Sequence, residues 1–171
     1  AMKNLLLITI LSLSYAQLKV GDKAPPINLF RLDNNKYYHM KDEIEKNTIV
    51  LSFFATWCEP CKKEIPKLNA MLDKLKMDSL SFYYINVSNI APTGKKKKSK
   101  ETHKIIKIFK DKLNMTAPIL LDKYALVYKS YQLKKMPTVV VIDKDGKISY
   151  FHDGYKPGDE LDLLDHLLKQ K

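Results

Sequence analysis

A chain of 171 residues with 45% hydrophobic content is long enough for one domain with a proper core. Its net charge of +11 is carried almost wholly by lysine, Arg31 being the one arginine, and with no nucleic-acid motif this argues against nucleic-acid recognition. The two cysteines sit in one four-residue stretch, which excludes a disulfide framework; they cannot alone make a four-ligand zinc site, and His39, His103, His152 and His166 show no ligand spacing, so no metal is expected.

Residues 2–16 read as an export signal. Lys3 gives a positive start, 5–13 an apolar stretch, and Ser14-Tyr15-Ala16 a small-residue cleavage pattern before Gln17. Ala1 reads as an added residue. The stretch is short for a membrane span, although an uncleaved anchor stays open as an alternative. Export would place residues 17–171, read as a single domain, in a periplasmic or other extracytoplasmic space where disulfides persist. Prolines 25 and 26 make a rigid lead-in to a hairpin, with strands over 27–32 and 37–40 around the turn Asp33-Asn34-Asn35-Lys36.

The apolar, β-branched run from Ile49 to Phe54 predicts a buried strand. It delivers Cys58 to the start of a helix running through Leu68, Leu72 and Leu75. A helix N-terminus offers unpaired amide donors and partial positive charge, which favour a thiolate at Cys58. The thiolate is the nucleophile of disulfide exchange. Cys61, one turn further in, can then attack a mixed disulfide on Cys58 and release the product. This predicts a thiol–disulfide exchange site whose only redox group is the Cys58–Cys61 pair, with no added cofactor. Glu59, between the two, is expected to be exposed and to disfavour a nearby thiolate through its charge. Glu64 lies one turn from Cys61 (i, i+3) and reads either as a solvated residue or as a proton acceptor.

A second buried strand follows over 80–87, then a loop over 88–100 with the lysine run Lys95 to Lys98. That run reads as a solvated loop, with docking to an acidic partner or anionic membrane as the alternative. A helix is expected over 101–113 with Ile105, Ile106, Phe109 and Leu113 inward. Next come a strand over 118–121, a helix over about 123–131, and a hairpin of 138–142 and 148–152 around Asp145-Gly146. The last helix is expected to begin at Asp159 as N-cap, with Leu161, Leu164 and Leu168 facing inward.

The stretch WCEPCKKEIP, with Pro66 five residues after Cys61, resembles the active site of the ResA/TlpA group of extracytoplasmic thioredoxin-like proteins. The resemblance extends from about Val20 to the C-terminus. It implies an α/β thioredoxin fold, a mixed central sheet flanked by helices with an N-terminal β-hairpin extension. It places Glu64 near the active-site thiols. It also implies that Ser52 occupies the strand position where ordinary thioredoxins keep a buried, proton-moving aspartate. Lys135-Met136-Pro137-Thr138 before VVVID resembles the cis-proline loop of these proteins, whose backbone before the proline pairs with an extended substrate. Trp57, Met136 and Pro137 are thus the expected substrate-binding residues. The G-x-P-E loop of CcmG-type relatives is absent.

The resemblance implies an exported reductase of disulfide-containing proteins, with apocytochrome c among the candidate clients and a membrane electron donor of the CcdA/DsbD type. The alternative is a client-binding, chaperone-like module with little turnover. Peroxidase chemistry is not expected, because Leu51 and Ala55 stand where P-x-x-x-[T/S]-x-x-C requires Pro and Thr or Ser. The C-x-x-x-C of copper-delivery relatives is also missing.

Overall fold

The computed structural model describes residues 18–75, 77–91 and 98–170. The expected signal, and Lys95 to Lys97 of the lysine run, lie outside the described residues. Among those described, no helix is long and apolar enough to cross a membrane.

Seven strands form one sheet: β1 (Asn28–Arg31), β2 (Tyr37–His39), β3 (Thr48–Phe54), β4 (Leu80–Val87), β5 (Ile119–Asp122), β6 (Thr138–Ile142) and β7 (Ile148–Asp153). Their spatial order is β2-β1-β5-β4-β3-β6-β7. The β3–β4 and β4–β5 pairs are parallel and every other pair is antiparallel, so the sheet is mixed. The N-terminal hairpin joins the sheet through β1 against β5, with Phe30 opposite Leu121.

All seven residues of β3 are buried, as a central strand covered on both faces requires. The period of two assigns them. Val50 and Phe54 face the helix α1 (Glu59–Lys74), together with α2 (His103–Lys112) and α4 (Asp159–Leu168). Ile49, Leu51 and Phe53 face the opposite layer, with α3 (Leu126–Ser130) and the N-terminal segment. By the same alternation Ser52 points toward α1, on the side where the candidate proton acceptor lies. Asn69 fixes α1 in that layer: its side-chain amide donates to Leu113 O and Asn114 O at 2.9 and 3.0 Å, and it accepts from the Tyr84 hydroxyl at 2.9 Å.

Three expectations are corrected. In α2, Ile106 and Phe109 are buried and Leu113 packs against them, but Ile105 is 46% exposed. In α3, the helix begins only at Leu126, because the Asp122 carboxylate takes the N–H groups of Leu126 and Tyr128, each at 2.8 Å. In α4, Gly158 is the N-cap, Leu163 and Leu167 are buried, and Leu164 packs against the same core as expected, while Leu161 is 63% and Leu168 45% exposed. The helix is turned by its polar contacts to β7. His152 Nε2 is 2.8 Å from Asp159, and Ser149 Oγ meets His166 and Gln170 at 3.1 and 2.9 Å. Positions 159, 163, 166 and 170 share one face at helical spacing.

That orientation gives a direct test. Leu163→Ala should destabilise the protein by about 2–5 kcal/mol, whereas Leu161→Ala should cost less than about 0.5 kcal/mol. Urea unfolding midpoints report the difference, and equal losses would contradict the observed face.

Candidate active site

The chain leaves β3 at Phe54, turns through Ala55, Thr56 and Trp57, and enters α1 at Cys58. Cys58 is the N-cap residue, in extended conformation, and its sulfur accepts a hydrogen bond from the Cys61 N–H at 3.2 Å. That contact turns the orphan donors of the helix start onto the sulfur. Cys58 and Cys61 form a disulfide with S–S 2.02 Å and Cα–Cα 5.3 Å. Cys58 is 3% exposed and Cys61 fully buried, so Cys58 is the sulfur that a reactant reaches. Glu59 is exposed and pairs with Lys62.

Glu64 is not a surface residue. It is 2% exposed, in the same layer as the disulfide. Burial pushes its carboxyl up to about 8, and the neighbouring charges of Asp159 and Glu160 add to the rise. The Ser52 hydroxyl partly opposes the shift, and among the described residues neither Ser52 Oγ nor Glu64 Oε2 has a hydrogen-bond partner. A carboxyl in that range can both hold and accept a proton near neutral pH.

Glu101 is the positioning residue that the sequence reading missed. Its carboxylate accepts from the Thr56 N–H at 2.7 Å, from the Thr56 hydroxyl and from the Asn86 amide. Its own N–H donates to Ser88 Oγ at 2.9 Å. The turn that presents Trp57 and Cys58 is therefore tied to the end of β4.

Met136–Pro137 is cis, as the resemblance implied. Pro137 is buried, and its carbonyl accepts from Gly154 N at 2.7 Å. The Thr138 hydroxyl lies 2.9 Å from both Lys135 O and Asp153 Oδ1, which holds the loop from behind. Trp57 and Met136 come together at a cleft of about 250 Å³, whose walls include Pro60, Tyr128, Lys134, Lys135 and Tyr155. Pro137 shapes the loop without lining this cleft. Among the described residues, no three metal-ligating side chains cluster.

A model of the AhpC/TSA family matches residues 20–151. The chain belongs to that family. Its similarity to the thiol-disulfide oxidoreductase ResA of Bacillus thuringiensis subsp. konkukian is 29% identity over 132 residues, 77% of this chain and 68% of the relative. It is 28% identical over 134 residues to the thioredoxin-like protein YneN of Bacillus subtilis, covering 78% of this chain and 71% of that one. A Chlorobium tepidum structure described as a thiol:disulfide interchange protein DsbE superposes with a TM-score of 0.74. It is 26% identical, covering 90% of this chain and 98% of that chain. This AhpC/TSA member has the thioredoxin-like fold and is a thiol–disulfide oxidoreductase.

The protonation of Glu64 has a measurable sign. Its carboxyl is raised in the folded protein, so native burial favours the protonated form. The stability this contributes is full below about pH 4.5 and declines as pH rises toward about 8. The slope can reach about 1.4 kcal/mol per pH unit. Glu64→Gln should flatten the decline, leaving the oxidised variant comparable to wild type at pH 5 and more stable at pH 8. Urea unfolding across pH tests this, and parallel profiles would refute it.

Proposed function

We propose that this oxidoreductase is an exported reductase of protein disulfides, with Cys58 as the attacking and Cys61 as the resolving thiol. The observation that carries the proposal is the Cys58 sulfur at the N-terminus of α1, receiving the Cys61 amide with protonatable Glu64 buried nearby. In the reduced protein the Cys58 thiolate attacks one sulfur of a client disulfide. The client S–S bond breaks, a mixed disulfide forms, and the departing client thiolate takes up a proton. Cys61 gives its proton to Glu64 and attacks Cys58 Sγ. The Cys58–Cys61 bond forms and the second client thiolate leaves, so two electrons pass from protein to client.

Glu64 supplies the base that Ser52 cannot. When ionised it also disfavours a thiolate beside it. That keeps the reduced dithiol from being strongly stabilised, which favours the reducing direction. Trp57, Met136 and Pro137 form the client side of the site. Among the described residues, the Met136 amide and carbonyl take no hydrogen bond, leaving a short backbone edge for an extended client. The names of the ResA and DsbE relatives support the exchange chemistry. The proposed setting is extracytoplasmic, with a CcdA/DsbD-type membrane donor returning electrons to the disulfide and apocytochrome c as the client class.

Insulin reduction with a chemical electron donor tests the turnover. Wild type should accelerate it, Cys58→Ser should abolish the acceleration, and Cys61→Ser should accumulate mixed disulfides through Cys58. Trapping through Cys61 in the reciprocal variant would reverse the two roles. Client binding without any acceleration would replace the reductase with a holding module.

A further inference from the structure

The cleft beside the disulfide has a chemical bias. Its apolar part is made by Trp57, Tyr128, Met136 and Tyr155, and about 250 Å³ is enough for one aromatic side chain. A dry cavity of about 150 Å³ already accepts benzene. Its charged part is Lys134 and Lys135, both exposed and adjoining the Met136 backbone edge. Neither lysine is paired with a carboxylate among the described residues. Among the described residues, no Asp or Glu lines the cleft. The carboxylates on its borders accept hydrogen bonds from other groups but keep their negative charge. Asp153 is held by the Thr138 hydroxyl, and Glu160 accepts from Gly158 N at 3.1 Å and from the Tyr155 hydroxyl at 3.4 Å. A client lying along Met136 therefore meets an apolar socket on one side and, on the other, two lysines that have no carboxylate partner among the described residues. The overall charge of +11 adds a long-range field of the same sign.

We infer that the preferred client segment carries an apolar or aromatic residue and a carboxylate close to its disulfide cysteine. The inference rests on the exchange function proposed above and adds its substrate class. An extended segment presents alternate residues to opposite sides, so one neighbour of the cysteine can fill the socket while another reaches the lysines. Charge selects the client chiefly by rejecting cationic segments, because like charges facing each other across a docking site cost more than an exposed pair gains.

The test uses reduced protein and short capped peptides, each with one cysteine linked as a disulfide to 2-mercaptoethanol. The cysteine is flanked by Phe and Asp, by Phe and Lys, or by Gly and Asp. The Phe/Asp peptide should be reduced with kcat/KM about tenfold above the Phe/Lys peptide, on the scale of two exposed charge pairs. It should also exceed the Gly/Asp peptide, and the charge preference should shrink in high salt. In the Lys134→Glu/Lys135→Glu double variant the ratio of the Phe/Asp to the Phe/Lys rate should fall below one. Equal rates on the three peptides, or an acid preference that survives the double reversal, would overturn the inference. Wild type is also assayed on the neutral hydroxyethyl disulfide, which has no side chain for the cleft. Normal reduction of that reagent beside indifference to peptide charge defeats the substrate class alone. Inertness toward it defeats the exchange function and the inference with it.

Discussion

The Cys61 amide pointing at the Cys58 sulfur is the contact on which the rest of the structure depends. Left alone, a helix N-terminus would hold Cys58 as a stable thiolate and make the reduced protein a poor electron donor. Glu64 works against that pull as it ionises. Its carboxyl is sealed in the same layer and held near neutrality by burial, with Asp159 and Glu160 adding negative charge around it. The site is thus a balance between a helix start that favours negative charge on sulfur and a buried acid that, once ionised, disfavours it. In the proposed cycle the same acid takes the proton that the resolving thiol must lose.

That balance needs a rigid frame. β3, buried along its length, fixes where the turn begins, and its alternation puts Ser52 on the α1 side. Asn69 locks α1 to the end of α2, and Glu101 ties Thr56 to Asn86, so the turn is held from two directions. The His152–Asp159 pair orients the start of α4 and sets where the acidic residues near Glu64 lie. Remote side chains thereby control the charge environment of two sulfur atoms.

Much of this was legible in the sequence. A β-branched run breaking into Trp-Cys-x-Pro-Cys announces strand, turn and helix N-terminus, and Lys-Met-Pro-Thr before VVVID announces the loop opposite. Glu64 could be named because helical spacing puts it one turn from Cys61, but its burial could not be read from spacing alone. Glu101 left no signal: its partner Thr56 is 45 residues away, and any acid before a helix looks solvated. The inward face of α4 was misread at Leu161 and Leu168, though not at Leu164, because its leucines form two overlapping stripes. Contacts of His152, Ser149 and Gln170 choose between the stripes, and no local pattern encodes them. Local chemistry was readable; side chains whose roles depend on distant partners were not.

The reduction potential of the Cys58–Cys61 couple at pH 7 tests the central balance most directly. If the acidic surroundings of the pair offset the helix start, equilibration with a glutathione or dithiothreitol buffer should give roughly −250 mV, near the reducing thioredoxin end of the scale. A value near roughly −120 mV, typical of a dithiol whose reduced form is strongly stabilised, would mean that the helix N-terminus prevails and that electrons flow the other way.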